Sequence, residues 1–210
     1  ITPDGTAIIE VAQACGLMHI EHEQRNPMRT TSYGVGLLVA DALRHNCHKM
    51  IIGLGGSATS DAGIGMLRAL IDTFAPEDHF NAIRPLFDNC EVILASDVTN
   101  PLYGINGAAH VFAKQKGATS SMIEALAARA KQFVSHTKRA MGFDKSMQPG
   151  AGAAGGLGYA FMQFLNAKMQ SGAELLLHLL QFDKLLAHAD IVITGEGKSD
   201  CQTLMGKLPA

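Results

Sequence analysis

The feature that most constrains the fold is a buried strand that runs directly into glycine. Met50-Ile51-Ile52-Gly53-Leu54 is an apolar run without polar alternation, as a strand covered on both faces requires. Gly55-Gly56-Ser57-Ala58-Thr59-Ser60-Asp61-Ala62-Gly63 follows it, and then a helical segment over residues 64–70. Strand, glycine loop and helix in that order are the repeating unit of a parallel α/β sheet, and the loop falls at the strand's C-terminal end, where such sheets hold ligands. The junction recurs. Cys90-Glu91-Val92-Ile93-Leu94-Ala95 enters Ser96-Asp97-Val98-Thr99-Asn100-Pro101, and Asp190-Ile191-Val192-Ile193-Thr194 enters Gly195-Glu196-Gly197-Lys198-Ser199-Asp200.

Between these junctions the apolar spacing is helical. Val35, Leu38, Val39, Ala42 and Leu43 recur at intervals of three and four, so they share a helix face ending near Asn46. Ser121 with Glu124 reads as a capping box opening a helix to about residue 139, with Met122, Leu126, Ala130 and Phe133 on its core face. Pro149-Gly150-Ala151-Gly152-Ala153-Ala154-Gly155-Gly156-Leu157-Gly158 is a second glycine loop, opening an apolar helix through Phe161, Phe164 and Leu165. A further helix is expected over residues 175–180, and Asp183 is expected to cap a short one ending at His188. Near the N-terminus, residues 6–12 read as a strand passing into a short helix, and residues 18–33 as a polar loop.

Composition limits the partners. With 210 residues and 47% hydrophobic content the chain can bury one good core or two small ones. A net charge of -2 supplies no basic field for nucleic acid, so a small molecule is the expected partner. No apolar run reaches the ~18–20 residues of a bilayer span, and the N-terminus lacks the regions of a signal peptide; a soluble, cytoplasmic protein is expected. Cys15, Cys47, Cys90 and Cys201 form no CxxC pair and read as reduced structural thiols. Ile1 is no initiator, and Ala210 follows Gly206-Lys207-Leu208-Pro209 where a fold would ordinarily continue, so both ends are expected to be cut.

A glycine loop that opens a helix points several N–H groups at one place and adds the helix dipole, which suits phosphate or carboxylate. Equally, such glycines serve tight turns and close packing. Gly55-Gly56-Ser57 lacks the Lys-Ser or Lys-Thr of a P-loop. Asp61, Asp97, Glu196 and Asp200 lie in loops where a carboxylate can hold magnesium or accept a hydroxyl proton. Asp61 can instead cap the following helix, whereas no long helix follows Asp97. Lys207 can offset phosphate charge or be simply solvated. His19 and His22 with Glu21 and Glu23 are not aligned by any expected helix, which argues against a metal site.

Read in order, the loops resemble a known family. The stretches 51–63 and 96–102, Gln115-Lys116-Gly117-Ala118-Thr119, the stretch 149–156 and Thr194-Gly195-Glu196-Gly197-Lys198-Ser199-Asp200-Cys201-Gln202-Thr203 are similar to successive motifs of bacterial glycerate kinases. The resemblance implies a two-domain α/β fold with the active site in the cleft between a discontinuous flavodoxin-like domain and a domain inserted within it. It places residues 1–188 in the inserted domain and residues 189–210 at the start of the C-terminal part of the other. The family also carries a longer glycine-containing stretch between the positions of Leu70 and Ile71, and segments before Ile1 and after Ala210.

The activity implied is ATP-dependent phosphorylation of D-glycerate, with Mg2+ as cofactor and the 2-hydroxyl as the favoured acceptor. Asp97, Asp200, Lys207 and Asp61 are the catalytic candidates, Asp97 and Asp200 also for the metal. Gly55, Gly56, Ser57, Thr59, Asn100, Gly150, Gly152, Gly155, Gly156, Thr194 and Glu196 are the candidates for binding substrate or phosphate. The chain by itself is expected to be weak or inactive, and a homo-oligomer is left open. The alternatives are a non-catalytic small-anion-binding domain and a dinucleotide-dependent oxidoreductase. The latter is suggested by Gly150-x-Gly152-x-x-Gly155, but lacks a preceding strand.

Overall fold

The computed structural model describes residues 1–75, 82–193 and 195 of the chain. Strands β1 (Thr6–Glu10), β2 (Lys49–Gly53), β3 (Glu91–Ala95) and β4 (Lys168–Gln170) form one sheet in that order, each neighbouring pair parallel. The helices are α1 (Val11–Cys15), α2 (Tyr33–Arg44), α3 (Ile64–Phe74), α4 (Ala108–Phe112), α5 (Ser120–Met141), α6 (Ala153–Phe164), α7 (Gly172–Leu179) and α8 (Phe182–Leu186). Because the four strands run one way, their C-terminal ends open onto one edge of the sheet, and the loops leaving them gather there.

The apolar runs of β2 and β3 have the expected cause. Met50, Ile51 and Ile52, and Val92, Ile93 and Leu94, are buried in the two central strands. β1 lies at the sheet edge and leaves Ile8 exposed. Helices α2 and α3 approach so closely that a Cβ on Gly36 would stand 2.4 Å from the Met66 carbonyl oxygen. On the side of α5 and α6, the Phe133 ring meets Tyr159 edge-on at 6.0 Å and stacks with Phe164 at 6.1 Å.

Three details differ from expectation. The fourth strand is β4, which is too short and too polar to show period-two patterning; its pairing with β3 makes it a strand. Residues 191–193 form no strand among the described residues, and Ile191, Val192 and Ile193 are exposed. An apolar run becomes a strand only where a neighbour takes its backbone groups. The caps also move. Thr119, not Ser121, caps α5 by accepting the Met122 N–H, while Glu124 lies 3.2 Å from His110 Nε2. Asp183 sits in the first turn of α8, whose cap position is Gln181 at φ 50°.

Candidate active site

The first glycine loop leaves β2 and is held from three directions. The Leu17 N–H donates to the Gly56 carbonyl (2.9 Å), the Ala58 N–H to that of Cys15 (2.7 Å), and the Thr30 hydroxyl to that of Ala58 (2.9 Å). Gly56 has φ 67°, which glycine adopts without steric cost. Farther along, Asp61 collects four donors. Its Oδ2 accepts from the Ser32 N–H and hydroxyl (both 2.8 Å) and from the Gly65 N–H (3.2 Å), and its Oδ1 from the Gly63 N–H (3.1 Å). This carboxylate ties the start of α2 to the start of α3 from two residues before the cap position of α3, which is Gly63.

The second glycine loop packs into the first. Ala154, Gly155 and Gly156 all have left-handed backbone, although they lie within the span of α6. A Cβ on Gly155 would stand 1.9 Å from the Thr59 carbonyl oxygen, and one on Gly156 would stand 2.6 Å from Ala62 Cα. The Ala62 N–H donates to the Gly155 carbonyl at 3.0 Å, and the Gly152 N–H to that of Asn100 at 2.8 Å. Gly150, at φ 84°, lies against Met169 of β4. The glycines of this run therefore join the loops after β2 and β3 and pack against β4. They follow α5 and a turn rather than a strand, which removes the geometric basis of the dinucleotide reading.

Asp97 leaves the end of β3 and reaches an element 75 residues away. Its Oδ1 accepts from the Ser171 hydroxyl and from the Gly172 N–H, both at 2.9 Å, at the N-terminus of α7. The side chain is exposed, and no hydrogen bond among the described residues takes Oδ2. Asn100 holds its own loop by donating to the Asn106 carbonyl at 2.9 Å.

The residue without an assigned role in the sequence is Lys116. It ends a 3-10 turn, Lys114–Lys116, and only 3% of it is exposed. Gly117 follows at φ 89°, where a Cβ would meet the Arg25 carbonyl oxygen at 2.2 Å, so glycine at this turn lets the lysine enter beneath the first glycine loop. Its Nζ donates to Ser57 Oγ (3.1 Å) and to the Thr59 carbonyl (2.6 Å). No carboxylate lies within ion-pair distance among the described residues. Burial pushes its pKa down to about 8, against smaller opposing effects of Cys15 and Asp61. Burial also raises the pKa of the neighbouring Cys15 thiol, beside Thr59. Lys116 lies in one of the family-like motifs, which was the signal available.

These parts surround a cleft of about 160 Å³ lined by Leu17, Leu54, Gly55, Gly56, Ser57, Val98, Phe112, Gln115, Lys116, Ala153 and Ala154. Of the expected site residues, Gly55, Gly56 and Ser57 line it directly, while Thr59, Asn100, Gly152, Gly155 and Gly156 lie in the loops that frame it. Asp97 leaves the same sheet edge. Thr194, Glu196, Asp200 and Lys207 lie outside the described residues. No group of three metal-ligating side chains occurs among the described residues, and no described helix is long and apolar enough to cross a membrane.

A model of the glycerate kinase family matches residues 1–210. The chain belongs to the glycerate kinase family. Among relatives, glycerate 2-kinase of Escherichia coli (strain K12) is 40% identical over 227 residues, covering 100% of this chain and 60% of that protein. Glycerate kinase of Bacillus subtilis (strain 168) is 38% identical, covering 97% of this chain and 58% of the relative. A solved structure from Salmonella typhimurium LT2, named for glycerate kinase 2, superposes with a TM-score of 0.82 at 38% identity, covering 100% of this chain and 61% of that one. The chain thus spans about 60% of the length of these glycerate kinase relatives.

Proposed function

We propose that the protein carrying this chain transfers the γ-phosphoryl group of ATP to D-glycerate in the cytoplasm, with the 2-hydroxyl as acceptor. The observation that carries the reading is the convergence of family-like loops on one small cleft that holds a buried ammonium. Phosphoryl transfer asks the protein for position and charge rather than covalent chemistry. The glycine backbone and the ammonium that line the cleft suit the acid's carboxylate as occupant.

In this reading Asp97 orients the acceptor hydroxyl or a metal from the rim. Mg2+ usually takes one or two protein carboxylates together with substrate phosphates. A single exposed carboxylate with one oxygen uncommitted fits that need, and Asp200 is the second candidate. When bound, the ion would neutralise phosphate charge. Asp61 holds the loop from behind. We also read residues 1–188 as the inserted domain and 189–210 as the start of the other, a division that the single four-stranded sheet supports.

The test is a coupled assay for ADP release with D-glycerate, run on this chain and on a longer chain of full family length. Turnover is expected in the longer chain and little or none in this one. Asp97→Asn in the longer chain should lower kcat by about 100-fold or more. Turnover near normal would remove Asp97 from the chemistry, and absence of glycerate-dependent ADP release in the longer chain would overturn the kinase reading.

A further inference from the structure

Resting on that reading and extending it, we propose that Lys116 is the carboxylate-docking residue of the cleft, selecting small acids over neutral polyols of the same shape. An ammonium carries three N–H donors. Two are spent on Ser57 Oγ and the Thr59 carbonyl, both neutral acceptors, and among the described residues no carboxylate forms a direct ion pair with it. A buried cation without a direct ion pair is costly, and here the surrounding loops are built to keep it. Gly117 admits the lysine, and the Gly16 to Ser57 bridge fixes the loop it grips. Lys116 lines the cleft, and its third N–H is assigned to an anion bound there.

The chemistry expected of the occupant follows from these groups. A carboxylate on a three-carbon acid suits a cleft of about 160 Å³ between glycine backbone and an ammonium. Gly55 and Gly56, in the same loop that Lys116 grips at Ser57, line the cleft without side chains, so the acid's hydroxyl end can lie along backbone. In this inference Lys116 holds the acceptor and not the donor of the phosphoryl group.

The experiment measures binding and turnover separately. Binding of D-glycerate, D-lactate, glycerol and D-glyceramide to the chain is followed by calorimetry, with Lys116→Met and the hydrogen-bonding but neutral Lys116→Gln beside it. The wild type is expected to bind the two acids, and to lose about tenfold or more in affinity for the amide and the polyol, the range of a charge-assisted hydrogen bond. Both variants should lose that preference. In the full-length enzyme the KM for glycerate should rise by the same factor while the KM for ATP stays unchanged. Equal binding of glycerate and glyceramide by the wild type overturns the inference whether or not the variants fold, as does a wild type that binds neither acid. Acid binding that depends on Lys116, without any phosphoryl transfer in the longer chain, upholds the docking role and removes the kinase reading.

Discussion

Asp61 and Asp97 look alike in the sequence, each an acid in a polar loop after a strand, and their side chains live in opposite conditions. Asp61 accepts three N–H groups and one hydroxyl, so Asp61→Ala strands donors from two helices. It should cost at least about 2 kcal/mol in urea unfolding. Lys116 gives a pH signature of its own. Its folded pKa, pushed down to about 8, lies below its ordinary value of 10.5, so between those limits the unfolded chain holds more protons. Stability must then rise with pH, by about 1 kcal/mol from pH 7 to pH 9. Above that range two groups act in the opposite direction. Burial raises the Cys90 thiol to about 11 and the Tyr159 phenol to about 12, and stability falls once the unfolded chain loses those protons. Lys116→Met should abolish the rise below pH 9 and leave the fall above it.

At the scale of elements, the site depends on backbones that meet closely. Gly155→Ala would place a methyl against the Thr59 carbonyl at a left-handed φ of 67°, and neither backbone can yield without moving a glycine loop. A loss of about 3 kcal/mol or more is expected by thermal denaturation. The α5 start offers a cleaner comparison of two neighbouring hydroxyls. Thr119→Ala removes the cap and should cost about 1 kcal/mol, while Ser121→Ala, inside the first turn, should stay within about 0.5 kcal/mol. The capping-box pattern pointed two residues too far along because Ser121 and Glu124 have the right spacing but the turn from Gly117 sets the helix start earlier. β4 shows the same limit: three residues acquire strand geometry from their partner rather than from their own pattern.

For the molecule as a whole, one direction of strand travel does most to assemble the site. Parallel pairing brings the loops after β2, β3 and β4 to a single edge, and the glycines of residues 150–156 then lock the loops after β2 and β3 together. The sequence by itself determined the strand–loop–helix order, the buried central strands, the main helix faces and the loops that match the family, because these depend on local periodicity and on residues adjacent in the chain. Only the tertiary structure decided how the side chains are used. It placed Asp97 on the N-terminus of α7, bound Asp61 to Ser32, and turned the 150–156 glycines into packing surfaces. Lys116 is the fullest case: nothing in its neighbours tells a surface lysine from a buried one. Its burial follows from a contact with Ser57 and Thr59, more than fifty residues away in the chain. That contact supplies the charge beneath the first glycine loop, because burial in a folded interior is a property of the whole packing and not of any local pattern.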